Sequence, residues 1–247
     1  MKALIPAAGH GTRFLPVTRV VPKEMLPIGA KPAIQLIVEE AFAAGADEVV
    51  IVVSPEKEII RRYFDGDPSL AARIRWACQK EQKGLGHAVL QGASLLADEP
   101  EPVLVLLGDA LVSGEAPSAS MADISRANGG ASVVGLEEVP LEKVSRYGIV
   151  KGTQADERVW KLDDLVEKPA PEAAPSRLAI AGRYLLDPAI FGLLATQTPG
   201  HGGEIQLTDA IRRLLAQKPV YGYRYPGHRH DIGNPAGYLE TLEAFAC

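Results

Sequence analysis

The sequence predicts an α/β fold in which one sheet carries helices on both faces. Three observations lead there. From Lys2 to Leu107 short apolar runs alternate with amphipathic stretches. The run Val103–Leu107 has no polar face, as expected of a strand covered on both sides. After about Ala131 the rhythm changes, and strand patterns follow one another before helices resume.

The elements can be justified in order. Lys2–Ala7 (KALIPA) reads as a buried strand. From Pro32, residues Ile34, Ile37, Val38, Ala41 and Phe42 form a helical stripe, with Pro32 suited to a first turn and Gly45 to a helix end. Glu48–Ser54 is a strand, and Ser54-Pro55 is expected to cap a helix carrying Ile59, Ile60, Tyr63 and Phe64. Ile74–Gln79 reads as a strand, His87–Leu96 as a helix, and Val103–Leu107 as a central strand. ASVVGLEEV (131–139), YGIV (147–150) and Arg177–Leu186 follow as strands. Helices are expected at Pro188–Ala195, about Gln206–Gln217 and Pro235–Phe245, with Glu167–Ser176 a Pro/Ala-rich loop.

Composition narrows the function classes. The 247 residues include 26 Lys and Arg against 31 Asp and Glu, a net charge of −5. That balance argues against a dedicated nucleic-acid binder. An apolar content of 47% with 23% charged residues argues against disordered and fibrous classes. With no internal repeat and no clean boundary, residues 1–247 read as one domain. Cys78 and Cys247 are the only cysteines, so no disulfide framework is implied. No apolar run approaches a membrane span, and the apolar start is too short for a signal peptide, so the cytoplasm is the expected location.

Charge is uneven along the chain. Between Met1 and Lys31, Lys2, Arg13, Arg19, Lys23 and Lys31 face the single acid Glu24, so this segment is near +4 and the rest near −9. Gly9 and Gly11 follow the first strand directly. Open α/β sheets bind ligands beyond the carboxyl ends of their strands, and glycines there let backbone N–H groups approach a phosphate. The segment is neither a P-loop nor a dinucleotide fingerprint, since the G-x-G-x-x-G pattern fails at Phe14. A guanidinium at Arg13 and an ammonium at Lys23 suit a polyphosphate.

Further candidates share that end of the sheet. GLGHA (Gly84–Ala88) precedes a helix, and Gln79 could read a base edge. Asp109 follows the apolar strand and suits Mg²⁺, which is commonly held by one or two carboxylates plus phosphate oxygens. Asp231 in HRHDIGN is a second carboxylate candidate, or a turn aspartate. VEKP (Val166–Pro169) sets Glu167 beside Lys168, either a surface ion pair or a contact to a sugar phosphate. The histidines show no zinc spacing, and no nucleophile motif is present.

Taken together, PAAGHGTRFLPVTRVVPKEMLPI, GLGHAVL, GDA, YGIV, VEKP, AIAGRYLL, GEIQLTDAI and HDIGNPAGY run in an order that resembles the bacterial UTP–glucose-1-phosphate uridylyltransferases. The resemblance spans nearly the whole chain. It implies a Rossmann-like nucleotidyltransferase fold with a mixed, mostly parallel sheet, dependent on Mg²⁺. Residues 1–130 would form a nucleotide-binding half and 131–247 a sugar-phosphate-binding half. Ala8, Gly9, Glu24, Gln79 and Gly84 would hold uracil, with Gly11 and Thr12 in the same nucleotide-binding loop. Arg13 and Lys23 would hold the triphosphate. Asp109 would bind Mg²⁺, with Asp231 the second ligand. Gly148, Glu167 and Lys168 would hold glucose 1-phosphate.

Two departures bear on this. The segment from Phe64 to Ile74 is brief where the family carries a longer helical excursion linked to subunit contacts, which leaves open whether the chain forms a homo-oligomer. Gly108 replaces the usual proline before the metal aspartate. The reaction implied is in-line attack by the phosphate of glucose 1-phosphate on the α-phosphorus of UTP, with Arg13, Lys23 and Lys168 supplying positive charge. Alternatives are transfer from dTTP or CTP, another sugar 1-phosphate, or an inactive regulatory relative that binds nucleotide sugars. A glycosyltransferase is disfavoured because GDA lacks the D-x-D pattern.

Overall fold

The computed structural model of the protein describes residues 1–246. Cys247 lies outside them, and Cys78 is free and exposed. Among these residues the strands are β1 (Lys2–Pro6), β2 (Pro27–Ile28), β3 (Lys31–Pro32), β4 (Glu48–Val53), β5 (Ile74–Cys78), β6 (Val103–Leu106), β7 (Ala110–Ser113), β8 (Ser132–Glu138), β9 (Gly148–Asp156), β10 (Val159–Glu167), β11 (Leu178–Leu186), β12 (Val220–Arg224) and β13 (His228–Asp231). The α-helices are α1 (Ala33–Ala43), α2 (Glu58–Asp65), α3 (Pro68–Ala71), α4 (Leu85–Leu90), α5 (Ala93–Leu96), α6 (Ser118–Ala127), α7 (Ala189–Ala195), α8 (Leu207–Leu215) and α9 (Pro235–Ala244).

Nine strands form one sheet in the order β5-β4-β1-β6-β11-β8-β12-β10-β9. Neighbours from β5 to β6 are parallel, as is the β8–β12 pair, and the other pairings are antiparallel. The expected weighting towards parallel pairs therefore holds in the first half of the chain, and the sheet as a whole is mixed. Alternate residues of the central strands feed two cores. Ala3, Ile5, Ile51 and Leu104 pack with Ile34, Ile37 and Phe64 of α1 and α2. Leu4, Val50, Val52 and Val105 pack on the other face with Val89, Phe191 and Ile211 of α4, α7 and α8. Burying each such Leu, Ile or Val contributes about 1.5–3 kcal/mol, so continuous apolar strands are what a sheet covered twice requires.

Several expectations need correction. Ser54 does not cap the second helix. Lys57 is its N-cap residue, and Ser54 instead accepts the Lys57 N–H at 3.1 Å in a turn that turns the Lys57 side chain inward. The helix expected at His87–Leu96 starts at Leu85 and breaks at Gln91-Gly92, where a Cβ on Gly92 would stand 2.3 Å from Leu4 Cδ1. Glu167, read as the start of a loop, ends β10. That strand was missed because register shifts at Val159/Trp160 and Leu162/Asp164 break its period-two pattern.

Candidate active site

Three parallel strands deliver their carboxyl ends to one cleft. After β1 the chain runs through Ala7–Gly9 and bends at Gly11, whose φ of +65° suits glycine. The bend is fixed by Thr18, whose hydroxyl donates to the Gly11 carbonyl at 2.8 Å, and by the Phe14 N–H, which donates to the same carbonyl at 2.9 Å. Three short 3₁₀ turns follow, and the last, Lys23–Met25, carries Lys23 and Glu24 back inside. After β5 comes Gln79, and after β6 comes Asp109.

The cleft has a volume of about 470 Å³. Ala8, Gly9, Arg13, Lys23, Glu24, Gln79, Gly84, Asp109 and Lys168 all line it. A slightly larger hollow of about 500 Å³ lies between Met1, Pro100 and Gly130 and holds none of the candidate residues. Size alone would choose the second, but the first lies at the carboxyl ends of the parallel strands and holds Arg13, Lys23, Lys168, Glu24 and Asp109 beside glycine backbone.

Lys23 Nζ forms an ion pair with Asp109 Oδ2. Asp231 reaches the same point through a two-stranded ribbon. β13 pairs with β7 so that Asp231 stands opposite Ala110, and the Ile232 N–H donates to the Asp109 carbonyl at 2.9 Å. A Cβ placed on Gly233 would stand 2.7 Å from Asp231 Oδ1 and 3.3 Å from both Asp109 Oδ2 and Arg13 Nη2. Two carboxylates and a guanidinium thus converge on a glycine that leaves the space between them clear. Among the described residues no group of three or more His, Cys, Asp or Glu stands in metal-binding array. Two hard oxygen donors without a third fit a cation that takes its remaining ligands from phosphate and water.

Lys168 is the only non-glycine residue at positive φ (46°) among the described residues. Its N–H donates to the Tyr147 carbonyl at 3.0 Å, which fixes the turn after β10. Backbone strain of this kind, of order 1–3 kcal/mol, concentrates at ligand-holding sites. Lys168 Nζ lies 3.4 Å from Glu167 Oε1, and Glu167 Oε2 accepts from the Thr208 hydroxyl at 2.6 Å. Gly148 pairs in register with Glu167, and a Cβ there would meet Thr208 Oγ1 at 2.7 Å. Gly148, Glu167 and Asp231 do not line the cleft themselves but adjoin residues that do or their partners, Glu167 at Lys168, Gly148 at Glu167, and Asp231 beside Asp109 around Gly233. Gly11 and Thr12 lie outside the lining as well, Gly11 forming the bend and Thr12 opening an exposed turn.

The sequence pattern of nucleotidyl transferases matches residues 2–246. The chain belongs to the nucleotidyl transferase family. It is 44% identical to a UTP–glucose-1-phosphate uridylyltransferase of Staphylococcus saprophyticus over 99% of its own length and 91% of that protein's. It is similar to the crystal structure of a UDP-glucose pyrophosphorylase complexed with UDP-glucose, with a TM-score of 0.91, 42% identity, and 99% and 98% of the two chains covered. A UTP-bound UDP-glucose pyrophosphorylase from Acinetobacter baumannii matches with a TM-score of 0.84 at 32% identity, over 99% of this chain and 92% of that one.

This nucleotidyl transferase also has side chains that sequence reading missed, Gln82 and Glu204 in the cleft lining and Lys57 buried against Glu24. Lys57 is 6% exposed and donates from Nζ to Glu24 Oε2 at 2.7 Å and to the Ala7 carbonyl at 2.8 Å. Burial lifts the Glu24 carboxyl and depresses the Lys57 ammonium, while the charge of each on the other, with Lys23 near Glu24 and Asp109 near Lys57, works in the opposite direction. Gln82 donates to the Ala8 carbonyl at 3.1 Å, and Glu204 lies against Gly84. No local pattern marks Lys57 or Gln82. Glu204 alone had a signal, as the acid of the GEIQLTD segment.

The Lys23–Asp109 pair gives the transferase a pH signature. Burial works to raise the Asp109 carboxyl, but Lys23 and then Arg13 outweigh it and hold the group below the usual carboxylate range. A carboxyl depressed in the folded state stabilises the fold above its unfolded pKa, and that contribution is lost as pH falls through the folded value. The thermal midpoint is expected to fall below about pH 4, near the unperturbed aspartate value. In Asp109→Asn part of that fall should be absent. Identical acid profiles for the two proteins would show that the pair carries no stability.

Proposed function

We propose that the protein transfers the uridylyl group of UTP to glucose 1-phosphate, giving UDP-glucose and pyrophosphate, with Mg²⁺ as cofactor. The observation that carries this reading is the gathering of Arg13, Lys23, Lys168 and Asp109 in one glycine-floored cleft at the carboxyl ends of β1 and β6. The relatives named above, covered over nearly their whole length, support the choice of UTP and glucose 1-phosphate.

We assign the roles that the family resemblance implies. Ala8, Gly9, Glu24, Gln79 and Gly84 hold the base, on the first half of the chain. Arg13 and Lys23 hold the triphosphate, with Gly11 and Thr12 shaping the loop that carries them. Gly148, Glu167 and Lys168 hold the sugar phosphate, on the second half. Asp109 and Asp231 would hold Mg²⁺, which when bound neutralises phosphate charge. The attacking phosphate is already an anion, so no general base is needed. What the protein must do is bring two anions together and oppose their charge as pyrophosphate departs, which is positioning and electrostatics. The cytoplasm is the compartment we assign to it.

Pyrophosphate release tests the reading, with nucleoside triphosphates crossed against sugar 1-phosphates. Release with UTP and glucose 1-phosphate above all other pairs is expected. Absence of release with every pair would leave only a nucleotide-sugar-binding protein. Lys168→Ala should raise the KM for glucose 1-phosphate by about 10- to 100-fold, the worth of one charge-assisted hydrogen bond, with a far smaller change for UTP. Equal effects on both substrates would make the Glu167–Lys168 pair structural.

A further inference from the structure

The cleft is lined by a buried amide, that of Gln79. Gln79 is 2% exposed. Its Nε2 lies 3.0 Å from His87 Nδ1 and 3.4 Å from the Gly84 carbonyl oxygen. Both amide hydrogens are thereby used. Oε1 has no donor on it among the described residues and is left to the cleft that Gln79 lines.

His87 faces a second amide. Its Nε2 lies 3.3 Å from Gln91 Nε2, which donates to the His87 carbonyl at 3.0 Å. Both ring nitrogens therefore look at an amide nitrogen, and a neutral imidazole can accept at only one. The two choices strand different groups. If Nδ1 accepts, Gln79 keeps both bonds and the ring N–H points at Gln91, a half-buried side chain that water can reach. If Nε2 accepts, Nδ1–H requires Gln79 to turn over. The amide nitrogen then leaves the Gly84 carbonyl and enters the cleft, in a place where burial makes an unmade bond expensive. The contact kept in the first choice is also the shorter of the two.

We propose that His87 carries its proton on Nε2 and thereby fixes the Gln79 amide with its carbonyl towards the cleft. A carbonyl there accepts from a ring N–H. Uracil offers one at N3. Cytosine offers a lone pair at N3, and two facing acceptors repel. His87 is thus a positioning residue for the choice of UTP over CTP, at one remove from the base. The inference rests on the uridylyl-transfer reading above, and its test separates the two.

The ratio of kcat/KM for UTP to that for CTP, with glucose 1-phosphate as acceptor, is the first measurement. His87→Ala frees the Gln79 amide to rotate, and the ratio should fall about tenfold or more. His87→Asn keeps an acceptor near the Nδ1 position and should restore most of it. An unchanged ratio in a folded, active His87→Ala enzyme overturns the proposal. The second measurement needs no turnover. Nitrogen-15 NMR of the wild-type protein in mildly alkaline buffer should show a pyridine-type Nδ1 and a pyrrole-type Nε2 for His87, assigned by loss of the signals in His87→Asn. The reverse pattern overturns the proposal whatever the kinetics. Failure of the wild-type protein to release pyrophosphate from UTP would instead sink the functional reading, and the tautomer would still decide His87.

Discussion

Replacing Asp109 by Asn is expected to lower turnover roughly a thousandfold, about 4 kcal/mol of transition-state stabilisation, while leaving a folded protein. The carboxylate stands just beyond β6, outside both cores, so the sheet does not depend on it. Asparagine keeps the volume and can still accept from Lys23, but it lacks the charge that a divalent cation needs. The loss should therefore appear in turnover and as a higher Mg²⁺ requirement, with circular dichroism unchanged at neutral pH. Near-normal Mg²⁺-dependent turnover in the variant would remove Asp109 from the metal site and leave its pairing with Lys23 as its whole role.

Lys23→Ala is expected to lower kcat/KM for UTP by about 10- to 150-fold, with part of the loss in kcat. Lys23 is 8% exposed and paired with Asp109. Burial works to lower its pKa, but the charges of Asp109 and Glu24 outweigh it, so the ammonium persists in a water-poor place. A contact that strengthens as charge moves onto departing pyrophosphate acts in the transition state as well as in binding. Removing the ammonium also frees Asp109 from its competitor, so the Mg²⁺ requirement should fall. Lys31 supplies the control. It is exposed and paired with Glu39 at 2.8 Å on the surface, where such pairs contribute about 0–1 kcal/mol. Lys31→Ala should be nearly silent. Matched effects at Lys23 and Lys31 would mean that the opening stretch is a diffuse basic surface and not a structured triphosphate cradle.

Parts of this site were legible in one dimension. Gly9, Arg13 and Lys23 stand within a short stretch after the first strand, so their grouping is local. Asp109 could be placed because a strand with no polar face must be central, and the end of a central parallel strand faces the crevice. Asp231 was a candidate only as a residue type. Nothing near it predicts the antiparallel pairing with Ala110 that brings it to Asp109. The β7–β13 ribbon was missed because ALVS and HRHD are four residues each, too short to show a period.

The sequence by itself determined the alternation of the principal strands and helices from β1 to β6, the apolar strands that both cores require, and the cluster of positive charge after β1. These depend on periodicity and on neighbours a few residues apart, which the chain carries with it. Only the tertiary structure decided which charges oppose one another. Lys57 reaches Glu24 from 33 positions away and Lys23 reaches Asp109 from 86. The Lys168 backbone enters its strained turn against Tyr147, and His87 meets Gln79 across the start of α4. The physical reason is that a buried charge or amide is stable only with a partner in place, and packing of the two cores decides which distant segment supplies it.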